Sequence, residues 1–150
     1  MTATPPGVVS AVVATMGSMS ETSDEPTVFS RIVAREIPAD IVFENERVIA
    51  FRDVEPKAPV HLLVVPKTER WHDVAELAAG DPALLAEIVA TASALSADPA
   101  VFRSDDGTDL SVGRGEFRLV FNTGPSAGQT VFHVHAHVLG GLLQEGTLAH

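Results

Sequence analysis

Three of the six histidines fall within five residues, at alternating positions: His133, His135 and His137, in the stretch 131–139 that runs into Gly140 and Gly141. The ordinary imidazole pKa of about 6.5 makes both the nucleophilic neutral form and the proton-donating cation accessible near neutrality. One neutral imidazole can attack phosphorus while a second protonates the leaving group, with no carboxylate or thiol required. Such chemistry needs donors for the charge growing on the phosphoryl oxygens. Residues 122–130, Asn-Thr-Gly-Pro-Ser-Ala-Gly-Gln-Thr, supply glycines, amides and hydroxyls that suit a turn exposing backbone N–H groups, with Gly128 and the Thr130 hydroxyl as candidate donors. Loss of one such donor often costs roughly 100-fold in rate.

The histidines must be positioned by a strand. Successive side chains of an extended chain face opposite ways, so the three imidazoles share one face and Phe132, Val134, Ala136 and Val138 share the other. The apolar face reads as the core face, which turns the imidazoles toward water, another chain or a ligand. A metal is the competing use of the row. Two histidines at i and i+2 can share a zinc ion, but the outer pair is about 13 Å apart at roughly 3.3 Å per residue, against metal bonds of about 2.0 Å. A third ligand would have to come from elsewhere, with His61 the candidate, and no nearby carboxylate stands out as a partner for ligating rings. Phosphoryl chemistry is the favoured reading, and no metal or cofactor is expected.

Other elements follow from local signals. Residues 1–25 are rich in Thr, Ser, Pro, Gly and acids and read as a disordered extension, leaving one domain over residues 26–150. Thr27 is a candidate N-cap for a short helix carrying Phe29, Ile32 and Val33, with Pro38 ending it. Strands are expected over 41–44 and 48–51 as a hairpin, then over 60–65 after the proline-bearing loop 55–59. A short helix is expected over 73–79. After it, Asp81-Pro82 opens a long amphipathic helix carrying Leu84, Leu85, Ile88, Val89, Ala92 and Leu95. Residues 98–115 read as a loop, 117–121 as the fourth strand and the histidine stretch as the fifth. This order, without regular strand–helix alternation, predicts an α+β fold on an antiparallel five-stranded sheet with one long and one or two short helices.

Composition narrows the partners. A formal charge of -10 and a pI near 4.8 repel a nucleic-acid backbone, so no nucleic-acid polymer is expected, while a small anion can still be held by local donors. Without cysteine there is no disulfide, thiol nucleophile or Cys-based zinc site. No run reaches membrane-span length, and no Lys or Arg precedes Arg31 to open a secretory signal, so a cytoplasmic protein without membrane attachment is expected.

The motif His133-Val134-His135-Ala136-His137-Val138-Leu139 resembles the signature of the histidine triad (HIT) superfamily. The likeness extends through Phe29 to Val33, Arg35 to Ala39, Ala50 to Val54, Ala58 to Lys67 and Asn122 to Thr130, in the order and spacing of the Hint branch of nucleoside phosphoramidases. It covers about residues 27 to 141 of the chain. The resemblance implies a homodimer, its sheet continued across the two protomers, that hydrolyses purine nucleoside monophosphoramidates through a nucleotidyl-histidine and releases AMP or GMP. It implies His135 as nucleophile, His137 at the phosphate and leaving group, and His133 and His61 orienting the imidazoles. Asp53 matches the acid that holds the ribose hydroxyls. Phe29, Ile32, Val54 and Leu63 match the base pocket, and Asn122, Gly128, Gln129 and Thr130 the phosphate loop. Thr130 stands where serine is common in the family, which keeps the hydroxyl.

Plainer readings stand beside these. On residue pattern alone His61 reads as a satisfied core histidine, and only the resemblance turns it to a site role; the plainer reading of Asp53 is a turn former, and of Phe29, Ile32, Val54 and Leu63 ordinary core. His72 and His150 read as surface residues, and Trp71 has no assigned role. Two other functions remain open: a dinucleoside polyphosphate hydrolase, and a nucleotide-binding regulatory or adaptor protein in which hydrolysis is incidental.

Overall fold

The computed structural model describes residues 26–113, 115–141 and 143; the expected extension and His150 lie outside them. Helix α1 (Val28–Val33) starts where the sequence places it, with Thr27 in extended backbone and its side chain accepting the Ser30 amide. It stops at Val33, ahead of Pro38. Arg35 adopts φ 63°, a left-handed turn that glycine usually fills, and its amide bonds the Ile32 carbonyl at 3.0 Å. The turn at Arg35, rather than the proline, ends the helix.

Strands β1 (Ile41–Glu44) and β2 (Val48–Arg52) form the expected hairpin. Its turn is held by the Asn45 side chain, which accepts the Arg47 and Val48 amides at 2.9 and 2.8 Å. Strand β3 (Val60–Pro66) follows, then α2 (Val74–Gly80) capped by Asp73, and α3 (Pro82–Ser96) capped by Asp81 with proline in its first turn. Strands β4 (Arg118–Val120) and β5 (Ala136–Gly140) complete a five-stranded antiparallel sheet of order β1-β2-β3-β5-β4. This is the α+β fold expected from the sequence, with three helices among the described residues.

Both faces of the sheet are covered, so every residue of β3 is buried, the near-continuous apolar pattern of a two-sided strand. One face carries Val48, Ala50, Val60, Leu62, Val64, Ala136 and Val138 against Leu77 of α2 and Leu84, Ile88, Ala92 and Leu95 of α3. The opposite face carries Ile49, Phe51, Leu63 and Val65 against Phe29 and Ile32 of α1. The pairings Phe51↔Leu63 and Leu63↔His137 place His61 and His137 on the α1 face. Trp71 also acquires a role. Its ring seats on Gly80, where an added Cβ would come within 2.1 Å of it, and the Arg70 guanidinium lies 5.0 Å from its centre.

The fifth strand is shorter than the alternation predicts. Pairing of β3 with β5 ends at Val64↔Ala136, and β4 reaches only to His137, so residues 131–135 are in no strand ladder. The segment after β3 holds them instead, with the Val134 amide donating to the Trp71 carbonyl at 3.0 Å. The imidazoles do not look out at water: His133, His135 and His137 are 0, 9 and 3% exposed. Phe29 of α1 stands against the His133 and His135 rings and His61 of β3 against the His137 ring, long-range contacts that alternation does not reveal.

Candidate active site

The partners of each ring fix where its proton sits. His135 Nδ1 lies 2.9 Å from the His133 carbonyl, which can only accept, so Nδ1 carries the proton and Nε2 the lone pair. Burial holds the His135 pKa below its ordinary value, so the ring is neutral near pH 7 and its Nε2 is a nucleophile. Phe29 stands edge-on to this ring with centroids 4.9 Å apart, and the His137 ring stands 5.1 Å away.

His61 is fixed from the backbone. The Lys57 amide donates to its Nδ1 at 3.0 Å, so the proton of a neutral ring is on Nε2. Burial first, and then the Lys57 charge, lowers its pKa, against the opposing pull of Asp53. His61 Nε2 stands 3.0 Å from His137 Nδ1, and the His61 proton must therefore be the one donated. His137 thus carries its own proton on Nε2. The result is a pair of neighbouring rings with complementary nitrogens: a lone pair on His135 Nε2 and a proton on His137 Nε2.

His133 is wholly buried. Its Nε2 lies 2.7 Å from the Pro66 carbonyl and its Nδ1 2.7 Å from Thr27 Oγ1. Burial pushes its pKa down to about 4. The unfolded chain takes up a proton at this residue below about pH 6.5, whereas the folded chain stays neutral, so stability falls as pH drops through that window. From pH 7 to pH 4 the loss expected from His133 alone is about 3 kcal/mol, with His61 and His135 adding in the same direction. Denaturant unfolding at the two pH values checks this, and an unchanged unfolding free energy would contradict it.

Asp53 forms a turn and also reaches the histidines. Its Oδ1 accepts the Glu55 amide at 2.8 Å, as a turn former does, and its Oδ2 lies 3.3 Å from His61 Nε2. No carboxylate stands near the histidine row in the sequence; folding brings this one to it. Asp53, His61 and His137 offer ligand atoms all within 4.8 Å of one another, a grouping that a metal could use. The tautomer of His61 argues against that use. Ligation through Nε2 would move its proton to Nδ1, directly against the Lys57 amide proton.

The remaining candidates divide. Phe29, Ile32 and Leu63 are buried together in the α1-face cluster, and Phe29 is the one whose ring contacts with His133 and His135 carry the cluster to the histidines. Val54 is 90% exposed and is not brought to that cluster. The loop of Asn122, Gly128, Gln129 and Thr130 turns through a 3-10 segment, Pro125–Ala127, between Gly124 at φ 88° and Gly128 at φ 97°. Gln129 is buried and spends its amide on the chain itself: Oε1 accepts the Gly124 amide at 2.8 Å, and Nε2 donates to the His72 and Val131 carbonyls at 2.6 and 3.0 Å. It shapes the loop. Thr130 is exposed, and Asn122 and Gly128 are half-buried.

Sequence reasoning missed the groups that orient the rings, because most are main-chain atoms with no side-chain signature: the Lys57 amide and the carbonyls of Pro66 and His133. Thr27 was legible only as a helix cap.

Comparison with known proteins agrees with this geometry. The family model described as HIT domain matches residues 34–142. The purine nucleoside phosphoramidase of Escherichia coli (strain K12) is 36% identical over 126 residues, spanning 84% of this chain and 96% of that protein. An uncharacterized HIT-like protein of Synechococcus elongatus is 44% identical over 117 residues, spanning 78% of this chain and 91% of its own. Among solved structures, the HIT family hydrolase from Clostridium thermocellum superposes with a TM-score of 0.64 at 38% identity, covering 77% of this chain and 90% of that one.

Proposed function

The chain belongs to the HIT, or histidine triad, family, and from that premise we propose that it hydrolyses purine nucleoside 5′-monophosphoramidates through a nucleotidyl-histidine. The observation that carries the reading is the pair of complementary nitrogens, a bare Nε2 on His135 beside a protonated Nε2 on His137. His135 Nε2 attacks phosphorus, and its new bond forms as the P–N bond breaks. The positive charge that develops on the ring is held by Nδ1–H donation to the His133 carbonyl. The departing nitrogen needs one proton to leave as a neutral amine. His137, charged by a proton taken up with the anionic substrate, delivers it from Nε2 and recovers one from the water that then cleaves the nucleotidyl-histidine. As His137 charges, its Nδ1 takes up the proton and can no longer accept from His61, and the Asp53 carboxylate, 3.3 Å away, becomes the acceptor of the His61 N–H.

In this reading Phe29 is the aromatic wall for the base, beside Ile32 and Leu63. Exposed Val54 is covered when the nucleotide binds, and the amides of the Gly128 loop with Thr130 face the phosphate. AMP or GMP is the product, and the location is cytoplasmic. No helix among the described residues is long and apolar enough to cross a membrane. The assembly is a homodimer, supported by β4 as an edge strand and by Val89 on α3, 39% exposed.

The test is release of AMP from an adenosine 5′-phosphoramidate of a simple amine, in the presence of a chelator. Turnover that resists chelation is expected. An inert protein, or one that the chelator stops, would overturn the reading; preference for a dinucleoside polyphosphate would replace it with the related hydrolase.

A further inference from the structure

The cap of α1 touches the triad. Thr27 Oγ1 accepts the Ser30 amide at 3.1 Å, closing the start of the helix, and the same oxygen lies 2.7 Å from His133 Nδ1. The chemistry of the partners gives the direction of the second bond. Pro66 offers a carbonyl, which can only accept, so His133 Nε2 carries the ring proton. The ring is buried and neutral, which leaves Nδ1 bare. The Thr27 hydroxyl must be the donor.

We infer that Thr27 is a positioning residue of the active site, its hydroxyl setting the tautomer and orientation of His133, on whose carbonyl the nucleophile His135 is held. Three contacts depend on this one oxygen. The His133 carbonyl accepts from His135 Nδ1 at 2.9 Å and so decides that Nε2 is the attacking nitrogen. The His133 ring joins α1 to the end of β3 through Pro66. Phe29, two residues after Thr27, stands against both the His133 and His135 rings, at 5.7 and 4.9 Å. Without the donor, His133 keeps a buried bare nitrogen, or moves its proton to Nδ1 and turns a lone pair on the Pro66 carbonyl. Either response disturbs the peptide that aims His135.

A cap alone and a proton donor are separable by substitution. Aspartate caps a helix as well as threonine but has no proton to give at neutral pH, whereas serine can do both. Thr27→Ser, Thr27→Asp and Thr27→Val would be compared by kcat and KM on the adenosine phosphoramidate and by the ring 15N signals of His133. The rate of carbethoxylation of His135 by diethyl pyrocarbonate would be followed in parallel. Thr27→Ser should stay within about threefold of the wild type, while Thr27→Asp and Thr27→Val lose about 10- to 100-fold in kcat with a smaller change in KM. Thr27→Asp should keep α1 capped and show His133 protonated on Nδ1. The inference is overturned if Thr27→Asp matches Thr27→Ser in kcat and in the His133 signals. It rests on His135 being the nucleophile only in its kinetic arm. Should the wild type not cleave phosphoramidates, the proposed function fails, but the 15N signals and the carbethoxylation rate still decide the role of Thr27: a shift in both supports it, and wild-type values in Thr27→Asp refute it.

Discussion

Replacing His135 with alanine is expected to lower kcat for an adenosine 5′-phosphoramidate by about 10⁴-fold or more, because it removes the atom that becomes bonded to phosphorus. No neighbour can substitute. His133 Nε2 is committed to the Pro66 carbonyl and its Nδ1 to Thr27, and His61 presents Nε2–H rather than a lone pair to the site. Nucleotide binding should survive, since the Phe29 cluster and the Gly128 loop keep their own anchors. Calorimetric titration with AMP therefore accompanies the kinetics. Retained binding with lost turnover is the expected outcome; turnover within tenfold of the wild type would remove His135 from the nucleophile's place.

His137→Ala carries the second large effect, and its size should depend on the leaving group. With an alkylamine, whose nitrogen must be protonated to depart, the loss expected is about 10²- to 10⁴-fold. An adenylate ester of an acidic phenol leaves as a stable anion and should lose much less. That contrast identifies proton delivery. The geometry behind it is the chain of fixed tautomers, in which the Lys57 amide places the His61 proton on Nε2, and the His61 proton leaves His137 with its own on Nε2. Equal losses for the two substrates would mean that His137 acts through binding or charge alone. Lys57→Pro would remove the amide donor that starts the chain.

Much of the fold was legible because its signals are local. Thr27, Asp73 and Asp81 cap the helices that follow them, Pro82 sits where a missing N–H costs nothing, and Asn45 closes the hairpin turn. The sheet order was less so. That β5 inserts between β3 and β4 is a contact across most of the chain, and it alone puts His137 beside His61. The alternation of histidines correctly put His137 on a face apart from Ala136 and Val138, but said nothing of the α1 cover that makes the site an interior one. For the same reason the fifth strand is shorter than alternation predicts: strand character at 131–135 needs a neighbour to pair with, and the ladders to β3 and β4 stop at Ala136 and His137.

The site followed a similar division. The imidazoles and the glycine loop announce themselves by residue type, and the resemblance to histidine triad proteins singles out Asp53 and His61, which the structure brings to 3.3 Å. Pocket wall and core cannot be told apart by composition; in the structure Phe29 touches the His133 and His135 rings, whereas Val54 stands in the open. Tautomers were beyond sequence altogether, since they are set by backbone amides and carbonyls that every residue possesses.

The central claim is covalent catalysis at His135, and rapid-quench mass spectrometry tests it most directly. Wild-type protein mixed with excess adenosine 5′-phosphoramidate and quenched in the first turnover should gain the mass of one adenylyl group. Peptide mapping under alkaline conditions should place that group on His135, with decay matching the appearance of AMP. An adduct on another histidine, or steady release of AMP with no adduct at any time, would contradict the account.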